Sequence, residues 1–255
     1  LVKSSAASDV YKRQEQRALG KKDEPIVIEE FPGLEGEVAW DPRPISRSGS
    51  ERVIRFAFDY AKVRQRKSGK PQSVTCVDKS NVTRGCQLFR KIFREFADSN
   101  QDIPVKEAYI DAFTMWLVRN PEDLDIVVLP NMFGDIATDL ASVLQGGMGM
   151  SASANMGPRH MLFEPVHGSA PKHAGKNIVN PIAMIQSVQM MFEALGFRKK
   201  DETLDICAEI LQNAIRQHFE EGAPVTYDFG GTASTSDVGE AIAERCARML
   251  KARFS

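Results

Sequence analysis

The sequence has no CxxC pair, no long apolar run and no surplus of charge of either sign. Its four cysteines, Cys76, Cys86, Cys207 and Cys246, lie far apart. That argues against a disulfide framework or a zinc site and for reduced thiols in a cytoplasmic protein. The formal net charge of −1 excludes the basic field that a nucleic-acid backbone requires. No stretch approaches the roughly 20 apolar residues of a membrane helix, so no membrane partner is expected. Neither a signal peptide, a GxGxxG fingerprint, an internal repeat nor a low-complexity tract is visible. What remains is ordinary globular composition, 42% hydrophobic and 26% charged over 255 residues, enough for one large domain or two small ones.

Residues 1–14, "LVKSSAASDVYKRQ", carry neither helical nor strand periodicity and look like translated adaptor sequence. They read as a non-native tail, with the natural N-terminal part expected upstream. "PIVIEEF" (25–31) and "GEVAW" (36–40) read as short strands around the turn-prone "PGLEG". After the polar connector "DPRPISRSGS", helical spacing runs from Glu51 to about Arg66. "SVTCV" is a buried-type strand ending at Asp78, and Arg84 to Asp98 is amphipathic. "VKEAYI" is a strand ending at Asp111, "AFTMWLVRN" a helix stopped by Pro121, and "DIVVL" a further strand. "NMFGDIATD" then opens a helix that Gly146, Gly147 and Gly149 end. "LFEPVHGSAPKHAGKNIVNP" reads as a loop, and a helix starts at Asn180-Pro181 and stops at Gly196. Helices over about 202–220 and 236–252 flank the glycine-rich loop "TYDFGGTASTSD". Alternating strands and helices predict an α/β protein, and its polar residues gather where strands end, as sites in such folds do.

Asp135 and Asp139 are four residues apart, so both carboxylates leave one face of a helix. Two like charges on one face repel, so either water covers them or a cation lies between them. With Asp111 at another strand end they make three oxygen donors and no nearby His or Cys, a set suited to Mg2+ or Mn2+. A pair of solvated aspartates fits the same spacing. Lys79 in "DKSNV" follows a β-rich apolar strand, where desolvation and a nearby cation lower a lysine toward acid–base range. A snorkelling surface lysine fits equally. The loop with Gly168 and Gly175 beside His167 and His173 says by chemistry alone that the backbone approaches something closely.

"DKSNV", "NMFGDIATD", "FEPVHGSAPKHAGK", "NPIAMI" and "DFGGTAST", in this order, resemble the motifs of the isocitrate and isopropylmalate dehydrogenase family, metal-dependent β-decarboxylating enzymes. The likeness covers about residues 25–255. It implies an α/β, isocitrate/isopropylmalate dehydrogenase-like two-domain fold that is partial, the N-terminal part of the nucleotide domain being missing. Residues 15–48 would be the dimer arm, 49–146 a small domain with the dimer interface and metal site, and 147–255 the C-terminal part of the cofactor-binding domain.

The resemblance also implies roles. Asp135 and Asp139 match metal-binding aspartates of one subunit of a homodimer, and Asp111 the aspartate that its partner lends. Lys79 matches the catalytic lysine, also contributed across the dimer, and Asn81 an asparagine of the substrate and nicotinamide region. Glu164, His167, Gly168, Ser169 and Ala170 match the cofactor loop, and Asn180 the residue that reads adenine. The implied reaction oxidises a malate-like 2-hydroxy acid and then decarboxylates it, with the metal as electron sink and Lys79 relaying protons with a tyrosine. Isocitrate is the first substrate expected, with isopropylmalate and tartrate or malate as alternatives. A non-catalytic regulatory subunit is the contrasting class; such subunits lose metal aspartates or the lysine, and this chain keeps them.

Lys172 and His173 stand where NAD-using relatives carry Asp-Ile. With Val179 and Tyr227 they resemble the NADP-type pattern, although Gly231 replaces that type's arginine. The substrate-gripping arginines and serine, and the tyrosine, are expected upstream of the residues present; Ile45 falls where some members carry that tyrosine. The resemblance therefore implies an active parent and leaves the activity of the fragment itself open.

Overall fold

Ser46 opens the first helix of the computed structural model, which describes residues 42–254. Its hydroxyl accepts from Gly49 N at 3.2 Å, so α1 (Arg47–Ser68) begins inside the expected polar connector. Gly69, at φ 68°, closes it. The expected tail, both expected arm strands and most of the arm lie outside the described residues. The described residues form two compact units that meet inside one helix, between Thr138 and Asp139.

The first unit is a parallel sheet with helices. Strand β1 (Val74–Asp78) lies between β2 (Val105–Tyr109) and β3 (Ile126–Val128), with α2 (Arg84–Asp98) and α3 (Ile110–Arg119) in the connections. β1 and β3 are buried throughout, as strands covered on both faces must be. Among the described residues β2 is the sheet edge and is exposed along most of its length, which accounts for Lys106 and Glu107 there. Ile54, Phe58, Val74, Phe89, Ile92, Phe93 and Val128 form the core. α4 (Asn131–Leu144) follows β3 and carries the chain across the division.

The second unit has an antiparallel hairpin, β4 (Ala152–Met156) with β5 (Met161–Pro165), and three helices, α5 (Ile182–Lys199), α6 (Glu202–Glu220) and α7 (Thr235–Phe254). Met150, Ile182, Ala214, Ile215, Val238 and Ile242 make its core.

Three expectations need correction. The sequence reading made 162–165 part of a loop, yet Met161–Pro165 is a strand, paired because Gly157 N donates to His160 O at 3.0 Å and closes a turn. Asp111 does not end a strand: Ile110 is already helical, and Asp111 lies in the first turn of α3, where the positive end of the helix dipole favours an acid. Gly196 does not stop α5, which runs on to Lys199 and is capped by Lys200 at φ 55°. Gly196 is instead a close approach: a Cβ there would lie 2.6 Å from Asp205 Oδ1 on α6.

Candidate active site

Register brings the chemistry of the first unit together. Asp78 and Tyr109 are partners across β1 and β2, so Lys79, next after β1, and Asp111, in the helical turn after β2, come near each other. Lys79 Nζ donates to Asp111 Oδ1 at 2.6 Å. The lysine is half-buried, while the carboxylate is 65% exposed. That hydrogen bond holds the Asp111 carboxyl below the usual carboxylate range. Lys79 thus pairs with a carboxylate.

The turn carrying Lys79 is tightly specified. Val82 N and Thr83 N both donate to the Lys79 carbonyl, at 3.0 and 2.9 Å. Ser80 N donates to Asp78 Oδ1 at 2.7 Å, a side chain taking over a turn hydrogen bond. Asn81 is exposed at the tip of this turn.

Asp135 and Asp139 lie one turn apart on α4, Asp135 half-buried and Asp139 exposed. Asn131 Nδ2 donates to Asp135 Oδ2 at 2.8 Å. Among the described residues, no three His, Cys, Asp or Glu side chains converge where they could hold an ion. The oxygen-only chemistry of Asp135 and Asp139 would fit Mg2+ or Mn2+ if a third oxygen donor joined them.

In the second unit the candidate cofactor residues lie on loops. Glu164, on β5, accepts from Asn155 Nδ2 at 3.1 Å. His167 is exposed, its Nδ1 2.9 Å from Gly168 O; Gly168 and Ser169 are exposed too. Ala170 adopts φ 45° and leads into a 3-10 turn over Pro171–His173. The His173 ring stacks on Tyr227 with centroids 6.1 Å apart, so the Lys172–His173 turn and the "TYDF" turn are neighbours. Lys172 and Tyr227 are both exposed.

The loop is held from behind. Asn177, at φ 54°, accepts from Thr235 N through its carbonyl and from Ser236 N and Oγ through its side chain. Thr235 Oγ1 donates to the Val179 carbonyl. The first residues of α7 therefore fasten the loop by hydrogen bonds.

Asn180 is 9% exposed, and its side chain is used internally. Its Oδ1 accepts from Ile182 N, the first residue of α5, at 3.0 Å; its Nδ2 donates to Asp228 Oδ2 at 3.0 Å. Asp228 also accepts from Thr226 Oγ1 and so ties the "TYDF" turn to the head of α5. A contact from Asn180 to an adenine would use its backbone or require re-pairing of this side chain. Gly231 is a steric requirement: a Cβ there would overlap the Val225 carbonyl oxygen, so an arginine at this position does not fit this backbone.

Sequence reasoning missed Arg90, Asn177 and Asp228. Arg90 was detectable as a charge amid the apolar stripe of Cys86, Phe89 and Phe93. Nothing local marked Asn177 or Asp228.

A model of the isocitrate/isopropylmalate dehydrogenase family matches residues 5–242. The chain belongs to this family. It is 41% identical over 219 residues to the homoisocitrate dehydrogenase of Methanocaldococcus jannaschii, covering 86% of this chain and 59% of that protein. It is 39% identical to the 3-isopropylmalate/3-methylmalate dehydrogenase of the same organism, covering 84% and 63%. Among solved structures, the apo β-decarboxylating dehydrogenase of Thermococcus kodakarensis is 41% identical with a TM-score of 0.73, covering 86% of this chain and 60% of that one. The isocitrate dehydrogenase of Methylococcus capsulatus is 40% identical with a TM-score of 0.70, covering 80% and 57%. The chain thus spans about three fifths of these relatives, and its fold is a partial form of theirs.

Proposed function

We propose that this chain is part of a decarboxylating dehydrogenase that oxidises a malate-like 2-hydroxy acid with NAD(P) and a divalent metal. The observation that carries the reading is the Lys79–Asp111 pair, 2.6 Å apart, just beyond the ends of two paired strands. It sets a proton donor and acceptor beside an oxygen ligand, the combination that oxidation of a hydroxyl and reprotonation after carbon dioxide loss both need.

The division of labour among residues follows. Asp135 and Asp139 of one copy, with Asp111 of a second, would hold Mg2+ or Mn2+. The metal, when bound, supplies Lewis-acid stabilisation of negative charge on the substrate oxygens. Lys79 of the second copy would take the proton from the hydroxyl and return one to carbon, so the working unit is a homodimer with shared sites. Exposed Met115, Trp116 and Val118 on α3 offer the apolar surface that such a partner would bury. Asn81 would face substrate and nicotinamide. Glu164, His167, Gly168, Ser169, Ala170, Val179 and Asn180 would frame the nucleotide.

Lys172, His173 and Tyr227 favour NADP over NAD. An imidazole and a phenol stack, Lys172 precedes that imidazole in the sequence, and no carboxylate stands at 172 or 173 to repel a 2′-phosphate. Isocitrate is the first substrate candidate. Isopropylmalate has equal support from the relatives' names, and tartrate or malate remains in the same class. A regulatory subunit is disfavoured because Lys79, Asp111, Asp135 and Asp139 are all kept. A cytoplasmic location suits such an enzyme, and no helix among the described residues is long and apolar enough to cross a membrane.

The test uses the full-length protein with Mg2+ or Mn2+ and each acid in turn. Reduced nicotinamide should form with at least one acid, and Asp135→Asn should abolish it. Nucleotide titration should show tighter NADP than NAD, with Lys172→Asp reversing the order. Absence of turnover with every acid, or unchanged turnover in Asp135→Asn, would reject the reading.

A further inference from the structure

Asp78 is fully buried at the end of β1, immediately before Lys79. Both of its oxygens are gripped by Arg90 of α2: Nε donates to Oδ2 and Nη2 to Oδ1, each at 2.9 Å. Arg90 Nη2 also donates to the Ala108 carbonyl at 3.0 Å, and the guanidinium lies 4.8 Å from the centre of the Tyr109 ring. Burial opposes the arginine's charge, yet the Asp78 hydrogen bonds and charge outweigh it and hold the group above its ordinary value.

We propose that the Asp78–Arg90 pair is a positioning clamp that sets the separation of Lys79 and Asp111; the inference rests on the reading of those two as site residues. One planar guanidinium reaches the ends of both strands. On β1 it fixes the carboxylate that also accepts from Ser80 N and so shapes the turn in which Lys79 stands. On β2 it fixes Ala108 and Tyr109, and Tyr109 is the cap residue of the helix whose first turn carries Asp111. Backbone pairing holds the strands in register, but among the described residues β2 pairs only with β1 and is exposed along most of its length, so the side chains at its end add to its positioning. A bidentate fork resists displacement because both hydrogen bonds depend on one plane. Asp78 and Arg90 are positioning residues: neither is needed to touch substrate.

The experiment reads the pair directly. A water-soluble carbodiimide activates the Asp111 carboxyl, the Lys79 amine displaces the resulting urea, and an amide joins the two residues; peptide mass spectrometry quantifies it. The 255-residue chain should give this crosslink. Arg90→Lys keeps the charge and loses the fork, and its yield should fall about fivefold or more; Asp78→Asn should do the same. Arg94→Lys, which loosens the Arg94 fork on Glu107 one turn along α2 and leaves the Asp78–Arg90 fork in place, should leave the yield unchanged. If Asp78→Asn fails to fold, Arg90→Lys decides alone. Unchanged yield in folded Arg90→Lys, or an equal fall in Arg94→Lys, overturns the clamp. Turnover of Lys79→Met in the full-length protein is scored separately. A fallen crosslink with normal turnover sinks the functional reading and keeps the clamp; an intact crosslink with lost turnover does the reverse.

Discussion

The two units prepare their functional groups in opposite ways. In the first, the groups stand at the ends of regular elements and are set by a parallel register and by ionic contacts, Asp78–Arg90 behind and Lys79–Asp111 in front. In the second, they stand on loops fastened by hydrogen bonds without a salt bridge, through Asn177, Asn180, Thr226 and Asp228. Under the proposed function, the difference follows from what each side would do. Proton transfer tolerates little misplacement, so rigid strand ends suit it. A nucleotide needs backbone close by over a long contour, which loops with positive-φ turns at Ala170, Gly175 and Asn177 provide.

Three perturbations would break or sharpen this contrast. The largest effect is expected from Phe93→Ala. Phe93 is fully buried against Phe58, ring centroids 5.6 Å apart, and its loss should cost about 3–5 kcal/mol. Hydrogen exchange should accelerate at β1 and β3 with less change in α6. Equal acceleration in both would mean that the chain is one cooperative body and that the contrast between units is only descriptive.

Gly231→Ala should cost about 1–3 kcal/mol, because the new methyl meets backbone at Val225 rather than a side chain that can swing away. NADP titration of the full-length protein should weaken, since Val225 adjoins the Thr226–Phe229 turn. A neutral result in both measurements would show that this loop is softer than its hydrogen bonds suggest.

The smallest effect concerns His218 on α6, which is buried and makes its Nε2 contact with the Pro224 carbonyl at 3.0 Å. Burial lowers its pKa from 6.5. A depressed value means that the unfolded chain binds the proton first, so this contribution is fully present above about pH 6.5 and fades as pH falls toward the folded value. Thermal unfolding of the second unit should therefore lose stability below pH 6.5, and His218→Gln should flatten that slope. An unchanged slope in the variant would assign the pH dependence elsewhere.

Much of the first unit was legible because its signals are local. The apolar run around Cys76 could only be a buried strand, the stripe from Cys86 to Phe93 only an amphipathic helix, and the glycines after Leu144 a helix end. The ordered motifs likewise needed no coordinates, and the family match agrees with the family they pointed to; the spacing of Asp135 and Asp139 is equally plain in the sequence. The hairpin 152–165, the continuation of α5 past Gly196 and the start of α3 at Ile110 were not legible. A glycine in sequence looks the same whether it ends a helix or lets another chain segment approach, and only the position of Asp205 tells which. Sequence chemistry determined which residues are ionic, apolar or conformationally permissive. Tertiary structure alone decided that Arg90 spans two strand ends, that Asn180 turns inward to Asp228 and that Gly231 must remain bare, because each depends on atoms brought near by segments far away along the chain.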